Sequence, residues 1–478
     1  MRAKISIAMA ALCGGVSWAQ AADELRSTLD DQVEVAVTVY NQDLALVKDV
    51  RKVVLAKGTN KLAFREVSAR IRPETALLRG LTQPSDLTLI EQNFDFDLLT
   101  PEKLLEKFVG QTVSLVKVHP TTGEETTEEA TVLSAQQGVV LKVGNRIETG
   151  AAGRLVYHSV PANLRDRPTL VVELDSAAGV AQQVELSYLT SGLSWRADYV
   201  AELSPRDDQL DLNGWVTLTN ASGSPYNNAR LQLVAGDVNR VRDELAETRV
   251  RKMVAMEAAA AAPAFAEEGL FEYHLYTLDR KTTLADNQTK QIALLSASAV
   301  PVRKELLLAG ADYYYMASYG DIGQKMKVSS FVEFQNKPQS RLGMPLPAGV
   351  VRVYKRDASG RAQFIGEDRV DHTPKNELVR LKLGEAFDVT ADKKQTDFKK
   401  LAGSSQYNYV SESEFEIKLK NAKSEAVTVT VREPIPGDWK MLQESHPHQK
   451  VAAGTAQWQI AVPAEGESLL KYRVQVRQ

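Results

Sequence analysis

Apolar residues recur at every second position through most of this chain, and this period restricts the fold more than any other feature. Val33 to Val39 reads VEVAVTV, and the same alternation returns many times. Successive side chains of a β-strand point to opposite faces, so the period predicts half-buried strands. Turn sequences containing glycine separate the segments. The chain is therefore predicted to be all-β, built from antiparallel β-sandwiches. Beyond the first segment, the alternation covers residues 46–54, 170–174, 184–189, 212–218, 328–334, 415–419, 427–431 and 472–476.

One short helix interrupts this pattern near residues 101–109. Thr100 can cap its first amides, Pro101 suits the first helical position, and Gly110 ends it. Compact strands follow, joined by tight turns. Five short strands in so short a segment favour a small SH3-like barrel over residues 99–160. The strands are expected at 112–118, 130–134, 139–143 and 146–148, with a fifth near 155–158.

The chain has 478 residues, which is too long for one hydrophobic core when domains typically have about 100 to 150 residues. The C-terminal part should be an immunoglobulin-like sandwich whose core holds Trp439 and Trp458. The predicted organisation is a signal peptide (1–22), an N-terminal β domain (23–98), the small barrel (99–160), a central β-sandwich (161–404) with a mobile alanine-rich excursion (243–269), and the C-terminal domain (405–478).

The N-terminus has the three parts of a secretory signal peptide. Arg2 and Lys4 precede an apolar run from Ile5 to Val16, and Ala19-Gln20-Ala21 is an A-x-A cleavage site. The mature chain is therefore expected to be exported, and periplasmic or envelope-associated. A lipoprotein is disfavoured because Leu12, before Cys13, is larger than the residue that the lipoprotein peptidase accepts.

Composition excludes several classes of protein. Cys13 is the single cysteine, so the mature chain would have no disulfide framework, cysteine-ligated metal or cysteine nucleophile. Removing the signal peptide leaves a net charge of about −5, which argues against a nucleic-acid partner. No stretch of the mature chain approaches the ~20 apolar residues of a transmembrane helix. Glycine-rich phosphate loops, HExxH and G-x-S-x-G elbows are absent, and we expect no cofactor.

The segment SYLTSGLSWRADYVAEL, residues 187–203, combines a tryptophan, an arginine and an aspartate on one predicted strand. Trp195 and Tyr199 fall on one face, and Arg196 and Asp198 fall on the other. The turn after it leads into a strand with Trp215, which predicts a hairpin. We interpret the segment as a structural signature, in which the aromatic residues fill the core. Arg196 and Asp198 would form an ion pair with each other or with a residue of the next strand. A catalytic carboxylate is the alternative.

Candidates for catalysis are few. Asp198 and Glu202 could belong to the paired carboxylates of a glycosidase, but such a pair is defined by a spatial separation. His274 lies among aromatic residues on a predicted strand, where a hydrogen-bonded histidine is the alternative. His446 and His448 near Glu444 lack further ligands at a recognisable spacing, so no metal site is predicted.

A cluster of tyrosines is the candidate binding site. Asp312 is followed by three tyrosines, and Tyr319 lies shortly after them. Tyrosine combines an apolar ring with a polar hydroxyl, which suits contact with a sugar or a protein. If this segment is a strand, Tyr313 and Tyr315 share a face, and half of the cluster belongs to the core.

Several of these segments resemble a bacterial exported family, the domain of unknown function 4139, which is related to the mucoidy-inhibitor-A-like proteins. The segments occur in order along most of the mature chain. The resemblance implies an exported, β-rich envelope protein, with no established reaction and no catalytic residues to transfer. The mucoidy-inhibitor-A-like members have a long coiled coil where this chain has the predicted small barrel. The similar segments are VYNQDLALV (39–47), TSGLSWRADY (190–199), GWVTLTN (214–220), AGDV (235–238), FEYHLYTL (271–278), FEIKLKNAK (415–423) and EPIPGDW (433–439).

Two functions from different classes remain open. The sequence favours a scaffold or protein-interaction factor of the cell envelope, with envelope proteins or glycans as partners, over an enzyme. The alternative is a carbohydrate-active hydrolase that uses paired carboxylates in a groove between domains. A concave acidic groove would favour the hydrolase, and an open strand edge or apolar patch would favour the scaffold.

Overall fold

The structure is a computed structural model that describes residues 24–82, 84–95, 97–136, 138–161, 164–236, 238–239, 265–402, 407 and 409–477. Strands dominate these residues, which confirms the all-β prediction. The predicted signal peptide lies outside the described residues, and so does the predicted excursion up to residue 264. Residues 265–269 of that excursion belong to a strand.

The first strands in chain order are β1 (Leu25–Ser27), β2 (Gln32–Tyr40), β3 (Leu44–Val54), β4 (Gly58–Arg65), β5 (Leu77–Gly80), β6 (Leu87–Asp95), β7 (Thr112–Val118), β8 (Glu125–Ser134), β9 (Val140–Val143), β10 (Arg146–Thr149), β11 (Arg154–Val156), β12 (Thr169–Ser176) and β13 (Ala181–Thr190). Helix α1 (Pro101–Lys107) lies between β6 and β7.

The later strands are β14 (Leu193–Leu203), β15 (Gln209–Asn220), β16 (Tyr226–Ala235), β17 (Phe265–Leu270), β18 (Tyr273–Leu278), β19 (Thr282–Leu284), β20 (Gln288–Pro301), β21 (Arg303–Ala309), β22 (Asp321–Gln335), β23 (Gly349–Arg356), β24 (Ala362–Val370), β25 (Leu378–Leu401), β26 (Val410–Asn421), β27 (Val427–Pro434), β28 (Asp438–Glu444), β29 (Gln449–Ala452), β30 (Thr455–Val462) and β31 (Gly466–Arg477). Short 3₁₀ helices occupy Leu29–Asp31, Pro73–Thr75, Pro84–Asp86, Asp312–Tyr315 and Pro338–Ser340.

The chain divides into two compact units. The first unit takes Met1–Val37, Ala45–Gly192 and Ala221–Ala229, and the second takes Thr38–Leu44, Leu193–Asn220 and Arg230–Gln478.

In the first unit, one sheet has the order β1-β4-β12-β6, and β13 pairs with β3 and with β5. A buried arginine joins these strands. Arg51 on β3 is fully buried, and its Nη2 lies 2.8 Å from Asp49 Oδ2. Its Nε also donates to Asp49 Oδ2 at 3.0 Å, while Nη1 and Nη2 donate to the carbonyl oxygens of Ser27 and Arg65, each at 2.9 Å. The paired carboxylate and these hydrogen bonds make the burial of this charge possible.

Residues 99–160, predicted to be a small barrel, contain a five-stranded antiparallel sheet. Its order, β10-β9-β8-β7-β11, brings the last strand back to the first, and the fifth strand is Arg154–Val156. Helix α1 begins as predicted, because Thr100 Oγ1 accepts the Lys103 amide at 3.2 Å. The core of the sheet consists of Phe108, Val113, Leu115, Ala130, Val132, Leu141 and Val143.

In the second unit, the predicted hairpin is β14 paired with β15, within the sheet order β20-β15-β14-β23-β24. The predicted alternation is confirmed on the core face, where Trp195, Tyr199 and Leu203 are buried. The other face is less uniform, because Arg196 is exposed but Asp198 is only 7% exposed. The arginines that cover Asp198 are described below with the candidate site.

Tyr199 explains why glycines lie on both strands next to β14. Its ring packs over Gly214 on β15, where an added Cβ would approach the ring to 3.1 Å. On the other side, a Cβ at Gly349 of β23 would lie 2.3 Å from the Ala197 carbonyl oxygen and 3.0 Å from the Tyr199 ring. The Tyr199 hydroxyl donates to the Pro347 carbonyl oxygen at 2.8 Å. The signature segment therefore encodes a packing unit of three adjacent strands.

The C-terminal strands form a nine-stranded sheet with the order β28-β31-β26-β25-β22-β21-β27-β30-β29. Its two edge strands, β28 and β29, are consecutive in the chain, so residues 445–448 connect the two ends of the sheet. The sheet encloses one core that includes Val328, Val389, Phe415, Trp458 and Trp439.

This sheet extends across the domain boundary expected at residue 405. Strands β21, β22 and β25 precede that residue, yet they share both the sheet and the core with the strands that follow it. The sheet and core of the C-terminal sandwich thus begin near Arg303. The alternation of apolar residues predicts where strands lie, but it does not show which distant strands pair. The boundary at residue 405 rests on this alternation alone, and it therefore misses the earlier strands of the sheet.

Replacing Gly349 with alanine should lower the free energy of unfolding by about 1 to 3 kcal/mol, because the new Cβ would clash with the backbone of Ala197. Urea denaturation followed by tryptophan fluorescence measures the change. Gly269→Ala is the matched control, since nothing lies within 4 Å of its Cβ position. Equal stability of the two variants would contradict the packing role of Gly349.

Candidate functional site

The connection between β21 and β22 carries the predicted tyrosine cluster. Asp312–Tyr315 forms a 3₁₀ helix, so the prediction that Tyr313 and Tyr315 share a strand face is wrong. With about three residues per turn, positions two apart point to different sides. Tyr313 is 51% exposed, whereas Tyr315 is 1% exposed and belongs to the core of the nine-stranded sheet.

We define the tyrosine patch as Tyr313, Met316 and Tyr319, which are 51%, 47% and 42% exposed. The Tyr313 ring meets the Tyr319 ring edge to face, with centroids 5.9 Å apart. It also meets the buried Tyr314 ring edge to face at 4.6 Å. Such pairs are favourable beyond the area that they bury. The outer rings are therefore held by ring contacts while one side of each stays open to solvent.

Gln395 of β25 holds the connection between β21 and β22, on the core side of the tyrosine patch. Its side chain is buried, and its Oε1 accepts the Tyr319 amide at 2.7 Å. Its Nε2 donates to the Ala317 carbonyl oxygen at 3.1 Å and lies 3.4 Å from the Tyr314 carbonyl oxygen. The Tyr409 hydroxyl adds a bond to the Met316 carbonyl oxygen at 2.9 Å. These side-chain hydrogen bonds therefore hold the backbone that carries the patch, in a segment outside the strands.

Beneath the turn lies a buried network of charged and hydroxyl groups. Lys393 Nζ on β25 is 2.6 Å from Glu433 Oε2 on β27, and the two residues are 2% and 0% exposed. The Tyr315 hydroxyl donates to the same oxygen at 2.9 Å, and it lies 2.9 Å from the Tyr472 hydroxyl. We call these four residues, Lys393, Glu433, Tyr315 and Tyr472, the buried polar cluster.

Aromatic rings enclose the lysine of this cluster. Lys393 Nζ lies 4.4 Å from the centroid of the Tyr314 ring and 5.0 Å from that of Phe415. Cation–π attraction favours the ammonium form there. Tyr314 therefore contacts the cluster on one side and Tyr313 of the patch on the other.

The surroundings shift the ionisation of the cluster. Burial lowers the pKa of Lys393, although the charge and hydrogen bond of Glu433 oppose the shift. Burial, and then the negative charge of Glu433, raise the pKa of Tyr315 and of Tyr472 well above the usual range. Both hydroxyls therefore keep their protons at physiological pH. Burial also raises the pKa of Tyr314, to about 12.

The two candidate carboxylates on β14 face arginines of the neighbouring strand β23. Asp198 lies 3.1 Å from Arg352 Nη1 and 3.1 Å from Arg196 Nε, and it accepts the Thr217 hydroxyl at 2.7 Å. The predicted pairing of Arg196 with Asp198 is thus present, together with the bond to the next strand.

Glu202 is paired in the same way, because its Oε1 lies 2.5 Å from Arg356 Nε. Trp215 lies opposite Asp198 in the register of β14 and β15, and it is half-buried. The ion pairs account for Asp198 and Glu202 as structural groups. A catalytic role for either one stays a prediction.

The histidine candidates also have partners. His274 Nδ1 lies 2.8 Å from Glu267 Oε1, within the hairpin of β17 and β18. His448 Nδ1 lies 2.9 Å from Glu444 Oε2, and its ring packs 5.5 Å from Trp439 and 6.0 Å from Trp458. Among the described residues, no group of three or more histidine, cysteine, aspartate or glutamate side chains is placed to hold a metal ion.

Lys393, Gln395 and Glu433 were missed by the sequence analysis, although the sequence contains a signal for them. From Val389 onward, the buried positions of β25 are Val389, Ala391, Lys393 and Gln395, in strict alternation. Along β27, Glu433 likewise continues the buried phase of Val429 and Val431. A charged residue in the apolar phase of a strand indicates a buried partner, but the sequence does not identify it.

In the described part of the chain, no helix has the length and apolarity required to cross a membrane.

Comparison with known proteins places the chain in a family. The model of the family described as Domain of unknown function (DUF4139) matches residues 184–478, which is more than half of the chain. The protein belongs to this family, and the match includes the signature segment, the tyrosine patch and the buried polar cluster. No curated protein matches the chain in a sequence search.

Replacing Gln395 with leucine should lower the free energy of unfolding by about 1 to 3 kcal/mol, because the Tyr319 amide and two carbonyl groups would lose their partner. Hydrogen exchange at the Tyr319 amide should also accelerate, which reports the turn directly. Thr396→Leu, at the exposed neighbouring position, is the control and should leave that exchange rate unchanged. Unchanged protection in Gln395→Leu would show that the turn is ordered by other contacts.

Proposed function

We propose that this protein is an exported scaffold of the cell envelope that binds partner proteins through the tyrosine patch. The observation that carries the proposal is the combination of exposure and order at Tyr313 and Tyr319. Both rings are about half exposed, while the buried Gln395 side chain bonds the Tyr319 amide and the carbonyl oxygens of Ala317 and Tyr314. Exposed aromatic side chains on a fixed backbone lose little conformational entropy on binding.

The composition of the patch supports a protein partner. Tyrosine and methionine are enriched at protein interfaces, and tyrosine is prominent among residues that dominate binding energy. The patch is also the outer surface of a chain of contacts that continues through Tyr314 to Lys393. A rigid support of this kind favours recognition of a defined surface over adaptive contact.

Export is part of the proposal and rests on the N-terminal sequence. The charged start, the apolar run and the A-x-A site support secretion. The resemblance to mucoidy-inhibitor-A-like proteins supports a bacterial envelope location. Lipidation is not proposed, because Leu12 precedes Cys13.

The carbohydrate-active hydrolase stays an alternative without a supporting observation. Asp198 and Glu202 would have to release Arg352 and Arg356 before they could act on a substrate. Envelope glycans are the alternative partners of the tyrosine patch, since sugars also bind aromatic rings.

Affinity-tagged protein, cross-linked in intact cells of its own host and purified from the envelope fraction, should recover a reproducible partner protein. The double variant Tyr313→Ala/Tyr319→Ala should reduce that recovery by about tenfold or more, as expected when residues that dominate binding are removed. Quantitative mass spectrometry measures the recovery.

Phe364→Ala/Phe387→Ala is the matched control. It also removes two exposed aromatic rings, but from β24 and β25 outside the patch. Equal recovery with both double variants would refute the patch as the binding site. Recovery of glycan fragments without a protein would overturn the protein-scaffold proposal in favour of glycan binding.

Export makes a separate prediction. The protein isolated from its host should yield an N-terminal peptide that begins at Ala22 or Asp23, because the signal peptidase would cleave at the end of the predicted signal peptide. Peptide mass spectrometry of the envelope and cytosolic fractions tests this. A full-length chain that retains Met1 and stays in the cytosol would contradict export.

A further inference from the structure

Lys393 and Glu433 hold a buried amine and a buried carboxylate in direct contact, and the proposed function uses neither group. Lys393 Nζ is 2.6 Å from Glu433 Oε2. The other carboxylate oxygen, Oε1, is buried and has no hydrogen-bond partner among the described residues. A buried carboxylate with one unpartnered oxygen is costly as an anion, so the ion pair is poorly compensated.

We propose that the side chains of Lys393 and Glu433 join as an intramolecular amide, which covalently links strands β25 and β27. These strands are not neighbours, since β22 and β21 lie between them in the sheet. The link would thus cross the core and connect distant parts of the nine-stranded sheet.

The reaction is a condensation that releases one water. A proton passes from Lys393 Nζ to Glu433, which converts the ion pair into a neutral amine and a carboxylic acid. The lone pair on Nζ then forms a bond to Cδ, and the electrons of the carbonyl π bond move to Oε1. When the carbonyl re-forms at Oε1, the bond from Cδ to Oε2 breaks. Oε2 leaves as water after it receives the second proton from the nitrogen.

The surrounding groups support each part of this step. Burial lowers the pKa of Lys393, which raises the fraction of the nucleophilic neutral amine. The Tyr315 hydroxyl donates to Oε2, the oxygen that leaves. Tyr472 Oη lies 2.9 Å from the Tyr315 hydroxyl oxygen. Both hydroxyls are protonated at physiological pH, so Tyr315 can relay the proton to the leaving oxygen.

The direct contact of the two groups and their separation from bulk water both favour the amide over the separate amine and carboxylate. Groups held in reactive contact reach effective molarities of about 10⁵ to 10⁸ M. The aromatic enclosure by Tyr314 and Phe415 also separates the groups from bulk water, which would otherwise hydrolyse the product. The amide removes two buried charges in exchange for one neutral group.

The link would have the structural effect of the disulfide that joins the two sheets of many immunoglobulin domains. This chain contains a single cysteine, Cys13, so an intramolecular disulfide is impossible. An amide between Lys393 and Glu433 would connect the sandwich without any thiol.

Intact-mass spectrometry of the full mature protein, purified from its host and denatured in acid and urea, tests the proposal. The expected mass is lower than the sequence mass by one water, and proteolysis should release a branched peptide containing Lys393 and Glu433. Denaturation separates an ion pair but not an amide. A mass equal to the sequence mass, or loss of water located at other residues, would overturn the proposal.

Two lysine variants assign the linked residue. Lys393→Met keeps a long apolar side chain and should have its full sequence mass, whereas Lys394→Met, at the exposed neighbouring position, should still lack one water. Loss of one water in both variants would show that Lys393 is not the linked amine.

Tyr315→Phe tests the proton relay. When chains recovered unfolded from inclusion bodies, before the core has formed, are refolded, the amide should form about 10²-fold or more slowly in this variant than in the unsubstituted chain. An unchanged rate would overturn the role of Tyr315 in the step.

Discussion

The contact between Lys393 and Glu433 has the strongest consequences for the C-terminal sandwich. Before the proposed amide forms, each charge is tolerated in the core because the other lies beside it, and removal of one partner of such a pair typically costs about 3 to 5 kcal/mol. Gly310 is part of the same arrangement, since a Cβ there would lie 2.2 Å from Glu433 Oε2. Residue 310, which precedes the 3₁₀ helix of the tyrosines by two positions, therefore has to be glycine or the Glu433 side chain has to move.

This arrangement connects the core with the surface. Tyr315 bonds Glu433, Tyr314 packs against Lys393, and Tyr313 is the outward residue of the same 3₁₀ helix. A patch supported in this way is a preformed surface, which is the property expected of a scaffold. The strands around Tyr199 follow a different rule, because Tyr199 and the glycines beside it join three strands by close packing.

Much of the fold could be predicted from the sequence, but less of the candidate site. The alternation and the turns predicted most strands, and the capping residues predicted the helix, because these features depend on residue type and short spacing. The strand assignment at Tyr313 failed, since a short tyrosine run has no period that distinguishes a strand from a 3₁₀ helix. The covering of Asp198 by Arg352 was also not predictable, because the two residues are distant in the chain and meet only through the parallel pairing of β14 and β23.

The sequence by itself determined the class of fold, the position of the helix and the two faces of the Trp195 strand. Each of these follows from local geometry, in which neighbouring side chains alternate and a capping residue precedes its helix. Only the tertiary structure decided that the sandwich begins near Arg303, that Lys393 faces Glu433, and that Gln395 lies beneath Tyr319. The reason is physical: a strand can present its apolar face to many partners, and the partner is selected by packing over the whole sheet.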